Sequence, residues 1–337
     1  MEFLLELASF VLKAAIIVIA FVIVVGTLAH QMQKHKPEAG ELKIKDVTKA
    51  WRQQTDAIQL SLLPEAKRKD AEKAIKKQRK QDKKSSTSTL PRRIFVVKFQ
   101  GSMDAKEVKQ LTHEVNAIIA IANDQDQVLV RLESGGGVVH GYGLGAAQLQ
   151  RLRDHGMELI VSVDKVAASG GYMMACVASQ IIAAPFAIIG SIGVIAQLPN
   201  FHRWLKKHDV DFEQLTAGEY KRTLTLFGEN TEQGRQKFKD DLESIHQQFK
   251  TFVKQHRAEV DIDKVATGEI WTAQQAVDLQ LVDAIETSDA WLQRRVTEQA
   301  VYEVEYKVKK GLGDKLGRQA TVLLGHLSQF LSQRSAP

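Results

Sequence analysis

From Val166 to Phe201 the chain carries no Asp, Glu, Lys, Arg or His. Few folds hold so long an uncharged run: it either crosses a membrane or lies in a fully buried core. Pro185, Gly190, Ser191 and Gly193 interrupt any single helix through it, because proline removes a backbone donor and glycine is a poor helix former. Residues 180–184 (QIIAA) read as a buried parallel strand. The run also starts in a glycine turn rather than at a membrane flank, so a core outweighs a membrane span here.

That turn is Ala168-Ser169-Gly170-Gly171-Tyr172. Residues 158–163 (ELIVSV) upstream read as a short strand, and the stretch from Tyr172 to Ala178 can be helical. Ser169 then sits where a strand turns into a helix, with free N–H groups at the helix N-terminus. This suits a nucleophile, since the Gly170 N–H and the helix dipole could hold a developing oxyanion. Taken locally, a plain glycine turn with a surface serine is the commoner outcome.

The surroundings favour more than a turn. From Arg93 onward strands and helices alternate: residues 94–99 (IFVVKF) a strand, 105–123 a helix, 127–132 (QVLVRL) a strand, 141–155 a helix. Repeated units of this kind imply a largely parallel sheet covered by helices, with reactive groups at the C-terminal ends of strands. Two strands end in glycine loops, Ser134-Gly135-Gly136-Gly137 and Ser169-Gly170-Gly171. Their backbone N–H groups, from Gly136 and Gly170, can converge on one oxygen as an oxyanion hole. No Gly-Lys-Ser/Thr follows the first loop, which excludes a phosphate-binding P-loop.

A serine nucleophile needs a base. Most of the ten histidines sit among charged residues, and only His140 adjoins a glycine loop, with no carboxylate marked as its partner. Lysine is the alternative. Residues 211–215 (DFEQL) read as a strand and 217–221 (AGEYK) as the loop after it, ending on Lys221. A lysine acts as a base only where burial makes its amine neutral at working pH, and the uncharged stretch 188–196 is a suitable surround. Ser191 could orient the amine. Lys221 on its own reads more readily as a surface loop lysine.

Leu7 to Ala29 is almost wholly apolar, enough for one span of ~20 residues. Glu2 and Glu6 stand where a signal peptide has basic residues, and no A-x-A site follows, so a retained anchor is expected. Lysines at 34, 36, 43, 45 and 49 place the bulk of the chain on the cytoplasmic side by the positive-inside rule. Residues 65–84 hold ten basic and four acidic side chains, which accounts for the net charge of +6. The rest is near neutral, so no basic catalytic surface is implied. This segment reads as an exposed helix able to touch anionic lipid, or as a solvated spacer. Nucleic acid ranks below both, because no aromatic residues interleave with the charges. Ser85 to Thr89 reads as a hinge. Cys176 is the only cysteine, which excludes an intrachain disulfide and a thiolate metal cluster.

Four motifs occur in one order: Ala168-Ser169-Gly170-Gly171-Tyr172, Gly190-Ser191-Ile192-Gly193-Val194, Gly218-Glu219-Tyr220-Lys221 and Thr267-Gly268-Glu269-Ile270-Trp271-Thr272. As an ordered set, with the anchor and charged linker, they resemble the signal peptide peptidase A family of serine peptidases, in its branch of bacterial inner-membrane peptidases. The resemblance implies an α/β, ClpP/crotonase-like fold with an N-terminal transmembrane helix. It divides the chain into an anchor (1–32), a charged helical linker (33–92), a peptidase domain (93–310) and a C-terminal amphipathic helix (311–337).

It also implies a Ser-Lys dyad: Ser169 as nucleophile, Lys221 as general base, Ser191 orienting the lysine, and Gly136 and Gly170 as oxyanion-hole glycines. No metal or cofactor is implied. The implied partners are hydrophobic peptide or protein substrates, including signal-peptide remnants, membrane lipid, and further copies of the chain, because the lysine can come from a neighbouring subunit. Better-known members act on the outer membrane face, against the charge argument, so the face stays open. Two positions depart from the family pattern: Gly135 where proline is common, and Gln280 where glycine is usual. A crotonase-like acyl-CoA enzyme and a catalytically silent membrane scaffold are the alternatives on the same fold.

Overall fold

The sheet is dictated by apolar runs whose alternate residues face opposite ways. In the computed structural model, which describes residues 40–85 and 92–308, strands β2 (Arg93–Gly101), β3 (Gln127–Ser134), β4 (Glu158–Val163), β6 (Gln180–Ala183) and β9 (Ala284–Ile285) lie side by side in that order and run parallel. Strand β10 (Ala300–Val308) joins the far side of β2, also parallel. Both faces are covered, which is why the strands are near-continuously hydrophobic. Phe95, Val97, Val128, Val130, Leu159, Val161 and Ile181 point into the larger cluster, with Leu111 and Val115 of helix α3 (Val108–Ile121) and Leu149 and Leu152 of helix α4 (Val139–Asp154). Their sequence neighbours Ile94, Val96, Leu129, Ile160 and Ile182 face the other way, onto Trp291 and Leu292 of helix α10 (Ser288–Arg295).

A short branch leaves this sheet where the site forms. Strand β5 (Val166–Ala168) pairs with the last residue of β3, Ser134 opposite Ala167. Strand β7 (Ile188–Gly190) pairs with β5 in parallel, and β8 (Ile270–Thr272) closes the branch antiparallel to β7. Helix α5 (Gly170–Ala175) starts directly after β5 and is wholly buried. Most of the uncharged run is therefore core as far as Ile192, with Ser179, Pro185 and Phe186 exposed, and no helix among the described residues is long and apolar enough to cross a membrane.

By its internal contacts the chain divides in two. Residues 42–305 form the body described above; in the smaller unit, of residues 1–41 and 306–337, the Gly40 N–H donates to the Tyr306 hydroxyl at 3.1 Å. The linker contains helix α1 (Val47–Leu62), capped by Asp46, whose carboxylate accepts from Lys49 N at 2.7 Å. Helix α2 (Glu65–Ser85) follows, and the side chains described along it are mostly exposed, as expected for its charge. Strand β1 (Gly40–Asp46), preceding α1, was not foreseen: its GELKIKD alternation is short and mostly exposed. The anchor, most of the 85–89 hinge and the C-terminal amphipathic helix lie outside the described residues.

One expected strand needs correction. Residues 211–215 form no strand: Phe212 and Leu215 are exposed and no strand is paired with them, so their alternation has no sheet to serve. Helix α7 (Glu232–His256) buries Phe249 and Val253 near its C-terminal end, while Phe238, Leu242 and Ile245 on its earlier turns are half-buried. Helix α6 (His202–Lys207) stands between these regions, and α8 (Ile262–Val265) and α9 (Ala273–Asp278) follow α7.

At the N-terminal ends of β2 and β3 the Asp126 carboxylate is fully buried and takes four donors. Arg93 supplies its backbone N and Nε at 3.1 Å each and Nη2 at 2.5 Å; Asn123 N adds a fourth at 3.0 Å. Burial alone would raise this carboxyl, but the Arg93 guanidinium and the backbone donors outweigh it and hold it below the usual range. A depressed carboxylate adds stability that is complete above its unfolded pKa of about 4 and is lost as pH falls through the lower folded value. Asp126→Asn should therefore cost about 3 kcal/mol at neutral pH. It should also flatten the loss of melting temperature below about pH 4. A variant melting like wild type would show that the pair does not hold the two strands.

Candidate active site

The site forms where three strand ends stop in register. Ala168 is paired with Gly190, so the next residues, Ser169 and Ser191, leave the branch side by side. Both have positive φ, 53° and 51°, a conformation that non-glycine residues adopt only when the surroundings impose it. Two backbone hydrogen bonds impose it: Ser169 N donates to Gly190 O at 2.8 Å and Ser191 N to Glu269 O at 2.6 Å. Ser169, with ψ −118°, caps helix α5, and its carbonyl accepts from Met173 N at 3.0 Å. A serine in so sharp a turn presents its hydroxyl outward, with the first amides of the helix beside it. Gly170 is the first of these.

The glycine loop after β3 closes against this turn. Gly136 has φ 90°, and a Cβ there would stand 2.7 Å from Ser169 Cβ and 2.9 Å from Gly170 N. Only glycine allows the two loops to approach so closely. The Gly136 N–H itself is donated to Ser134 Oγ at 3.1 Å. Gly170 has a reason of its own to lack a side chain, because a Cβ would lie 2.4 Å from the Tyr142 ring.

Of the residues singled out from sequence, Ser169, Ser191, Gly136 and Gly170 are thus brought together, and Thr267 to Thr272 joins them through β8. Lys221 is not among them. It is exposed, on an irregular segment where its N–H donates to Gly218 O at 3.2 Å. It lines a cavity of about 680 Å³ with Leu198, Leu215, Leu224 and Phe227, and Ser169 is not part of that lining. His140 is exposed at the start of α4. Cys176 is wholly buried after the end of α5, and burial pushes its thiol far up, which suits packing rather than nucleophilic attack. Gln280 adopts φ 60°, the conformation for which glycine is favoured.

Sequence reasoning missed Ser134 and Tyr142. Ser134 Oγ lies 2.5 Å from the Tyr142 hydroxyl, which in turn donates to Ser102 O at 2.9 Å. Both side chains are buried. The available signal was Tyr142 standing among Gly141, Gly143 and Gly145, a large side chain where small neighbours permit close packing.

Comparison with known proteins agrees with the motifs. Residues 151–318 match the model of Peptidase family S49 and residues 2–149 that of its N-terminal region, Peptidase family S49 N-terminal. A probable protease SohB of Haemophilus influenzae is 49% identical over 92% of this chain and 91% of its own length. Another from Buchnera aphidicola subsp. Schlechtendalia chinensis is 45% identical over 87% of this chain and 99% of its own. Among solved structures, the 1510-N membrane-bound stomatin-specific protease with a substrate peptide aligns at 14% identity and a TM-score of 0.42, covering 69% of this chain and 99% of that one. That similarity is too slight to define the fold. The matches to the family and to the SohB proteases span most of the sequence, and the chain belongs to peptidase family S49, as a serine-type peptidase.

Proposed function

We propose that the protein is a membrane-anchored endopeptidase that cleaves hydrophobic or signal-peptide-like segments with a Ser169–Lys221 dyad. The observation that carries this reading is the turn at Ser169, held at positive φ beside Ser191 and against Gly136. Ser169 Oγ attacks the peptide carbonyl carbon while the neutral Lys221 amine takes its proton. The resulting oxyanion accepts from Gly170 N–H and from Gly136 N–H, which it shares with Ser134. Collapse breaks the C–N bond, Lys221 returns the proton to the leaving amine, and an ester remains on Ser169. Water, deprotonated by Lys221, hydrolyses the ester and restores the serine. Ser191 accepts a hydrogen bond from the lysine and fixes its direction.

An exposed lysine is poorly suited to being a neutral base. The segment around Lys221 also exposes Phe212, Leu215, Tyr220 and Phe227. We therefore assign the covering of Lys221, and its delivery to a serine, to a neighbouring copy of the chain. The ClpP/crotonase-like architecture, the domain limits at 32, 92 and 310, and an inner-membrane location with the basic α2 near lipid complete the reading.

The test is casein hydrolysis by the detergent-purified full chain. Cleavage that rises toward alkaline pH is expected, because only the amine form can accept a proton. A flat pH profile would exclude the lysine base, and acyl-CoA turnover without proteolysis would favour the crotonase-like alternative.

A further inference from the structure

Tyr142 is completely buried in the first turn of α4, directly after the glycine loop, and its ring and hydroxyl act on different parts of the site. The ring lies against Gly170, where a Cβ would meet its Cγ at 2.4 Å, and packs edge-on to Phe99 at 6.4 Å between centroids. The hydroxyl has one proton, and its partner Ser102 O can only accept. The proton between Tyr142 and Ser134 must therefore come from Ser134, leaving Ser134 Oγ to accept the Gly136 N–H. The direction of every bond in the chain Gly136, Ser134, Tyr142, Ser102 follows from this count. Its outer end is held too, because the Glu107 carboxylate accepts from Ser102 N at 3.0 Å and lies 2.7 Å from Ser102 Oγ.

Resting on the Ser169 reading above, we propose that Tyr142 is a positioning residue that sets the spacing of the two glycine loops: its ring fixes Gly170, and its hydroxyl, through Ser134, fixes Gly136. Burial keeps the phenol protonated, so the chain keeps its sense at alkaline pH. Tyr142 does not touch the substrate. Its removal misplaces donors rather than deleting them, and small misplacements of reacting groups cost up to about 100-fold in rate.

The experiment compares Tyr142→Phe, Ser134→Ala, the double variant and Ser169→Ala in the full-length protein, with kcat and KM on fluorogenic casein corrected for folded fraction. Tyr142→Phe keeps the ring contacts and loses only the hydroxyl. We expect kcat to fall about 10- to 100-fold with KM unchanged. The double variant should fall no further than the worse single one, because both interrupt one chain. A Tyr142→Phe enzyme whose melting temperature drops while kcat per folded molecule stays within twofold overturns the inference, as do fully additive losses. Ser169→Ala separates the two levels of the argument. Activity surviving there sinks the Ser169 reading and this inference with it; activity lost there but intact in Tyr142→Phe sinks the inference alone.

Discussion

Ser169→Ala should lose peptidase activity by about 10⁴-fold or more while remaining folded. The large loss follows from removing the atom that, in the proposed mechanism, bonds to the substrate. The intact fold follows from the contacts: Ser169 is tied by its backbone, to Gly190 O and Met173 N, and its side chain makes no hydrogen bond among the described residues. Ser169→Gly should go further and separate stability from activity. Relieving φ 53° removes a conformational cost of about 1 kcal/mol or more, so this variant should be equally inactive and melt higher than wild type. Thermal melts and casein assays on both variants check this. A Ser169→Gly protein that melts well below wild type would mean the turn is not strained, and one that cleaves would mean the nucleophile lies elsewhere.

Lys221→Ala carries the second large effect, a loss of about 10³-fold, within the range that general base catalysis supplies. It should leave the melting temperature unchanged, because the side chain is exposed and holds nothing together. The same exposure makes a second demand. If a neighbouring copy covers Lys221, activity per molecule should collapse on dilution to the single chain, and mixing inactive Ser169→Ala with inactive Lys221→Ala should restore part of it. Full activity in an isolated monomer would contradict the shared site; wild-type activity in Lys221→Ala would remove the lysine from the mechanism.

Much of this was legible because it depends on local chemistry. Strands β2, β3, β4 and β6 are largely apolar on both faces and bounded by polar or glycine turns, so the apolar runs located them within a residue or two. The Ser169 turn was marked by its paired glycines. The branch β5–β7–β8 was not legible, because three-residue strands carry no periodicity and exist only through register with β3. The strand expected at residues 211–215 failed for the complementary reason: its alternation is real, but no partner strand lies beside it. The roles of Ser134 and Tyr142 were not legible, although glycines flank Tyr142, because they arise from a hydrogen-bond chain that runs from residue 102 to residue 142, and no short motif spells that out.

The proposed mechanism rests most heavily on Ser169 being the nucleophile. The most direct measurement is labelling the full-length protein with a fluorophosphonate, followed by mass mapping of the modified peptide. One adduct is expected, on Ser169, with its rate rising toward alkaline pH and abolished in Lys221→Ala. An adduct on Ser191 or another serine, or continued casein cleavage with Ser169 unmodified, would contradict it.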